Sequence, residues 1–353
     1  MGVQVQRRTK AIEDWFRAEA RDLPWRRKRT RWRSFVSEIM LQQTQVSRVV
    51  EKFEPFMKLF PTPKALAEAS EDTVNAAWAG LGYYRRARNL QAAAAQIVEH
   101  HGGRVPTKLD DLLELRGVGR YTAGAVASIA CGKRAPIVDG NVHRVLSRLH
   151  ADPFSLDDRD CAKRTWERAD VMVRASSNPA LFNEGLMELG SQVCTKHSPL
   201  CTECPVKKGC QACVQDLVDQ IPPVRKRIAK TVEHHHAVAI VRGNRFILQQ
   251  RSSKGRWAGL WQLPTLESDK KLKPEDITTG LGIKIEELKH LDSFERLLTH
   301  RRIRFHVYRA VMEPGTRVGS SGKWHFFSEK KWPPMGVAQR KTLEVLESCL
   351  KGA

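Results

Sequence analysis

Apolar residues recur at helical spacing through the first two thirds of the chain. Ile12, Trp15 and Phe16 mark one face of a helix over 11–20. Val36, Ile39, Met40, Val46, Val49 and Val50 carry a second pattern over 35–50. Segments 64–79 and 88–100 are alanine-rich and favour helix. Pro61-Thr62-Pro63, Gly80-Leu81-Gly82 and Gly102-Gly103 punctuate these stretches. The run Ile221-Pro222-Pro223-Val224-Arg225-Lys226-Arg227, rich in proline and charge, reads as a linker. Beyond it the texture changes. Segments 236–241 and 245–250 flank Gly243-Asn244 as a hairpin, and 302–311 and 323–327 predict further strands. Helical patterns return over 273–281 and 337–350. The pattern predicts two domains: a mostly α-helical one over 1–213 and a smaller α+β one over 233–353, joined by a linker over 214–232.

Charge narrows the partners. Lys and Arg number 60 against 39 Asp and Glu, a net charge of +21. A surplus of this size points to a polyanion, and among polyanions to nucleic acid. Basic residues cluster at Arg26, Arg27, Lys28, Arg29, Arg31 and Arg33, and again at Arg225, Lys226, Arg227 and Lys230. Such runs also fit solvated loops or a nuclear targeting signal. No apolar run is long enough to cross a membrane, and Met1 to Arg8 has no apolar signal core. The expectation is a monomer of the cytosol or nucleus. The lack of a long N-terminal extension favours a bacterial cytoplasm, at the nucleoid.

Four of the eight cysteines, Cys194, Cys201, Cys204 and Cys210, read C-x6-C-x2-C-x5-C. Four thiolates from one loop hold a zinc ion or an iron–sulfur cluster. A disulfide pair suits a reducing compartment poorly. Structural zinc sites usually have two close cysteine pairs, whereas here only Cys201 and Cys204 are close. Cys131, Cys161, Cys213 and Cys349 fall outside the spacing and read as incidental thiols. His234-His235-His236 reads as the opening of a strand rather than a metal tract.

Segments 108–115 and 120–130 predict helices joined by Arg116-Gly117-Val118-Gly119. Such a turn leaves the backbone N–H groups of Gly117, Val118 and Gly119 free to meet a phosphate. In Val138-Asp139-Gly140-Asn141-Val142, Asp139 or Asn141 suits a helix N-cap, where a carboxylate stays ionised more easily. Glu38 shares a helical stripe with Ser34, Gln42 and Gln45, opposite Val36 and Ile39. Periodicity alone makes it a solvated glutamate.

The cysteine spacing resembles the [4Fe–4S] loop of the endonuclease III family of DNA repair glycosylases, and residues 115–123 resemble the helix–hairpin–helix of that superfamily. Three further strings are Ser37-Glu38-Ile39-Met40-Leu41-Gln42-Gln43-Thr44-Gln45-Val46, Gly80-Leu81-Gly82-Tyr83-Tyr84-Arg85 and Val138-Asp139-Gly140-Asn141-Val142. With them the chain is similar to the MutY family of adenine glycosylases. Through Gly255-Arg256-Trp257-Ala258-Gly259-Leu260-Trp261-Gln262-Leu263-Pro264, residues 233–353 resemble the MutT-like, Nudix-fold domain of that family. The resemblance implies one [4Fe–4S] cluster on Cys194, Cys201, Cys204 and Cys210, in a loop over 194–210. It implies a base excision repair enzyme that removes adenine mispaired with 8-oxoguanine or guanine in duplex DNA.

By the same resemblance, Glu38 is the general acid and Asp139 the ionised partner that stabilises the sugar. Asn141 holds sugar and water, and Tyr121 hydrogen-bonds into the same centre. Tyr121 stands where strand-cutting relatives carry lysine, so efficient lyase activity is not expected. Gln42, Gln43, Tyr83 and the turn of Gly117, Val118 and Gly119 contact DNA. The cluster shapes a loop whose Lys196, Lys207 and Lys208 face phosphate. Leu298-Thr299-His300 stands where the family reads 8-oxoguanine with Phe-Ser-His, so Thr299 and His300 become the reading residues. No R-E-x-x-E-E-x-G box follows Pro264, so no Nudix hydrolysis is expected. Two rival readings are an endonuclease III-like lyase acting on oxidised pyrimidines and a non-catalytic iron–sulfur DNA-binding protein.

Overall fold

The computed structural model describes residues 2–223, 229–282, 284–313, 322–329 and 332–351; Arg225, Lys226 and Arg227 of the basic linker lie outside them. The chain divides into two compact units, Met1–Ala69 with Arg88–Lys226, and Ser70–Ala87 with Arg227–Ala353. The helices run in order α1 (Gly2–Glu19), α2 (Pro24–Arg27), α3 (Arg31–Leu41), α4 (Val46–Leu59), α5 (Pro63–Ala67), α6 (Glu71–Ala77), α7 (Arg85–His101), α8 (Leu109–Leu113), α9 (Arg120–Ala125), α10 (Gly140–Leu149), α11 (Arg159–Ala175), α12 (Pro179–Gln192) and α13 (Gln211–Val214). A π-helical turn, Val126–Ala130, prolongs α9.

Local chemistry sets many of these boundaries. The Thr30, Asp139 and Asp158 side chains accept backbone N–H bonds at the starts of α3, α10 and α11. Asn178 caps α12, with Pro179 at its first position. The apolar pattern over 35–50 predicts one helix, but the chain folds it as two. Gln42 leaves helical geometry and Gln43 takes φ 55°, which breaks the run. The pattern over 64–79 also splits, at Ser70, whose hydroxyl accepts from the Thr73 N–H and starts α6. Periodicity does not register either break, because the segments on both sides bury apolar faces.

In the first unit, Ile12, Val142, Val145, Leu146, Phe182, Leu186 and Leu189 form a core among α1, α10 and α12. At Gly190 a Cβ would lie 2.7 Å from Asn141 Cβ and 3.0 Å from its carbonyl oxygen. Only glycine lets α12 approach the start of α10 so closely.

The second unit is a mixed sheet of β1 (Thr231–Arg242), β2 (Arg245–Gln250), β3 (Trp261–Gln262), β4 (Thr265–Ser268), β5 (Ile285–Leu297), β6 (Arg301–Met312) and β7 (Gly322–Phe326), with α14 (Pro274–Leu281) and α15 (Val337–Lys351). The order is β3-β2-β1-β6-β5, with β4 on β1 and β7 on β2. β1 and β6 are parallel and β5 and β6 form a long antiparallel ladder. Alternation along β1 sends Ala237, Ala239 and Val241 to one face against Leu343 and Leu346 of α15. Val238 and Ile240 go to the other face, with Ile277 of α14. Helices on both faces explain the unbroken apolar run of β1. β5 had no sequence signal, because most of its residues are exposed. Segment 70–87, placed by sequence within the helical domain, groups with this unit. The Tyr84 hydroxyl donates to the Met335 carbonyl at 3.2 Å, and Trp78 is fully buried.

Candidate active site and nucleic-acid interface

Glu38 sits on α3 with only 7% exposure, which overturns the periodicity reading of a solvated glutamate. Tyr121, on α9, donates its hydroxyl to Glu38 Oε2 at 3.2 Å and lies 3.1 Å from Met187 Sδ. Burial pushes the Glu38 carboxyl up to about 7, the Tyr121 hydrogen bond pulls it down, and the charges of Glu184 and Asp139 raise it further. Tyr121 is raised well above the usual phenol range by burial and by the charges of Glu38 and Asp139, so it stays protonated.

Asp139 caps α10, and its Oδ1 accepts from the Val142 N–H at 2.7 Å. Burial raises its carboxyl above the ordinary value, while the Val142 and Asn141 N–H groups and the Arg144 guanidinium oppose that rise. One acid is therefore buried against a phenol, and the other is buried but solvated by helix N-terminal amides. Such a pair divides naturally into proton donor and anion. Asn141 follows Asp139 on α10, and its Oδ1 accepts from Arg144 at 2.8 Å.

The basic block after residue 25 is largely spent on internal partners. Arg26 and Arg29 bind the buried Glu184 at 3.1 and 2.7 Å. Arg21 and Arg26 bind the buried Glu188. Arg27 pairs with Asp22, Arg33 with Glu54, and Arg31 donates to the Val105 carbonyl. Glu184 and Glu188, missed in the sequence, hold this block, and the charges of Glu184 and Arg26 act on Glu38. No local motif marks them; only their burial does.

Gln42 donates to Thr122 Oγ1 at 3.0 Å, and Gln43 beside it is exposed in the left-handed conformation. In the hairpin, Gly117 (φ 78°) and Gly119 are exposed, while Val118 is buried. A Cβ at Gly117 would meet the Asn89 side chain at 2.7 Å. Tyr83 is half-exposed at φ 47° after Gly82, with the Arg86 guanidinium over its ring. In the second unit its hydroxyl lies 2.8 Å from Thr299 Oγ1, a meeting of residues 216 apart in sequence. His300 is exposed in the same β5–β6 turn, and the neighbouring Leu298 packs against Ile303 and Phe305.

Cys194, Cys201, Cys204 and Cys210 wall one cavity together with Arg148 of α10. Arg148 reaches Cys194 Sγ at 3.4 Å and donates to the Thr195 and Ile221 carbonyls. Among the described residues no three sulfurs lie mutually within 4.8 Å. Four thiols facing one cavity are the donor set that a zinc ion or an iron–sulfur cluster takes. Cys213, read as incidental, lines the same cavity. Lys196, Lys207 and Lys208 are exposed around the loop.

The histidine tract, expected to open a strand, lies inside β1, which begins three residues earlier at Thr231. Glu233, His235 and Glu267 bring ligand atoms within 4.8 Å of one another. Their carboxylates are held by Arg251, Arg256 and Arg301, which makes the group an ion-pair network around a buried imidazole.

Residues 36–169 match the model of the HhH-GPD superfamily of base excision DNA repair proteins, and residues 236–345 that of the NUDIX domain. A thermostable thymine-DNA glycosylase is 26% identical, with a TM-score of 0.55 over 61% of this chain and 100% of its own. Endonuclease III in a non-covalent complex with DNA, 23% identical, shares the fold at a TM-score of 0.51 over 62% of this chain and 98% of its own. The chain is thus a helix–hairpin–helix base excision repair protein with a Nudix-like second domain.

Among curated proteins, the adenine DNA glycosylase of Homo sapiens is 32% identical over 96% of this chain and 73% of its own length. That of Buchnera aphidicola subsp. Acyrthosiphon pisum (strain APS) is 34% identical over 73% of each chain. The chain belongs to the adenine DNA glycosylase family.

Proposed function

We propose that the protein excises adenine paired with 8-oxoguanine or guanine in duplex DNA, by acid-assisted hydrolysis of the N-glycosidic bond. The observation that carries this reading is the Glu38 carboxyl, buried, pushed up to about 7 and hydrogen-bonded by Tyr121, in electrostatic reach of Asp139. Cleaving a glycosidic bond needs a proton on the departing base and negative charge near the cationic sugar. With its carboxyl pushed up to about 7, a large share of Glu38 holds its proton at neutral pH and supplies it to the base. Asp139, held by backbone N–H groups, supplies the charge, and Asn141 orients sugar and water. Tyr121 keeps the Glu38 carboxyl aimed. It offers no amine, so a Schiff base with the sugar does not form and strand cutting is weak.

The base must leave the stack to reach Glu38. Gln43 and Tyr83, exposed in strained backbone conformations, fill and wedge the vacated step, and Gln42 contacts the strand. The hairpin N–H groups of Gly117 and Gly119 meet a phosphate, whereas that of Val118, expected from the sequence to do the same, donates to the Leu115 carbonyl at 3.1 Å. The Tyr83–Thr299 contact supports a shared reading role, in which the wedge and the hydroxyl that senses 8-oxoguanine are held together beside His300. The cysteine frame holds one [4Fe–4S] cluster on Cys194, Cys201, Cys204 and Cys210. That group supplies structural order to the loop bearing Lys196, Lys207 and Lys208; the hydrolysis needs no electron. The second domain reads the lesion and does not hydrolyse nucleoside diphosphates.

The test uses duplexes with adenine opposite 8-oxoguanine, guanine or thymine. Free adenine should appear from the first two and not the third. Glu38→Gln and Asp139→Asn should each abolish release and keep DNA binding; normal turnover by both variants would sink the mechanism.

A further inference from the structure

Cys213 lies outside the C-x6-C-x2-C-x5-C spacing, yet its side chain lines the cavity walled by Cys194, Cys201, Cys204 and Cys210. The short helix α13 begins directly after Cys210 and carries Cys213 in its single turn. Cys210 and Cys213 therefore form a second C-x2-C pair that mirrors Cys201 and Cys204. Cys201 itself sits in a single 3-10 turn after Leu200, a residue 45% exposed.

A four-iron cluster takes four thiolates. A fifth thiol on the same cavity is chemically equivalent to the four. We propose that Cys213 is a reserve ligand of the iron–sulfur cluster, able to take the iron held by Cys201. This rests on the reading that the other four cysteines carry such a cluster. The exchange moves no electrons. A bond from Cys213 Sγ to iron forms as the bond from Cys201 Sγ breaks, and the proton released by Cys213 passes to Cys201.

The experiment compares full-length wild type with Cys201→Ser, Cys213→Ser, Cys204→Ser and the Cys201→Ser/Cys213→Ser double variant, all purified anaerobically. Iron and acid-labile sulfide per chain and the visible charge-transfer absorbance are measured. Wild type and Cys213→Ser should hold about four irons. Cys201→Ser should keep most of that iron, whereas the double variant and Cys204→Ser should lose it. Alkylation mapped by mass spectrometry gives a second readout that does not depend on yield: Cys213 should react in wild type and be protected in Cys201→Ser. The proposal is overturned if Cys201→Ser loses iron as completely as the double variant, if Cys204→Ser retains it equally, or if Cys213→Ser alone empties the site. Wild type devoid of iron and sulfide would instead remove the cofactor reading beneath it.

Discussion

Replacing Glu38 with Gln tests the neutral carboxyl through stability as well as activity. An ordinary glutamate titrates at 4.5, and burial pushes Glu38 up to about 7 in the folded protein. The folded state therefore holds a proton that the unfolded chain has already released between these values. Wherever the native state binds more protons, stability falls as pH rises. The contribution of neutral Glu38 is complete below about pH 4.5 and declines up to about pH 7, beyond which the loss levels off. At about 1.4 kcal/mol per tenfold change, the full loss is ~3 kcal/mol. Glutamine has nearly the shape of the protonated acid and does not ionise.

Glu38→Gln should thus match wild type near pH 4 and exceed it by ~3 kcal/mol near pH 8.5. Urea unfolding of both proteins at the two pH values measures this, with peptide-level hydrogen exchange over α3 and α9 assigning the transition to the first unit. A stability difference that is unchanged between the two pH values would refute the neutral buried acid, and with it the proton donor.

Tyr121→Phe removes the hydrogen bond that lowers the Glu38 carboxyl, so the alkaline fall of single-turnover base release should move to higher pH; a shift the other way contradicts the assignment. Gly190→Ala places a Cβ 2.7 Å from Asn141 Cβ, and overpacking of this kind should cost about 1–3 kcal/mol in urea unfolding. Lys207→Ala with Lys208→Ala should reduce the slope of log binding constant against log salt by about 2 in a duplex-DNA titration, since each phosphate contact contributes about 0.9.

The sequence carried what short-range physics decides. The short apolar runs of β1 and β2 and the Asp139 cap were legible because each depends on residues a few positions apart. The cysteine spacing and the motif strings around Glu38 and Gly117 marked the family before any coordinate, as did the two-domain class. The splits at Gln42 and Ser70 were not legible, because apolar periodicity runs through a break that packing conceals.

The chemistry of the site belongs to the tertiary structure. Glu38 titrates high because the fold buries it, and Tyr121, brought to it from 83 residues away, tempers that rise. The basic block is quenched by Glu184 and Glu188 from more than a hundred residues distant. Tyr83 meets Thr299, segment 70–87 groups with the second unit, and Cys213 lines the cysteine cavity. Spacing along a chain registers neighbours within a few residues, whereas desolvation and charge pairing act through space. Residue types and local geometry were therefore written in the sequence, and protonation states and long-range partners arose only on folding.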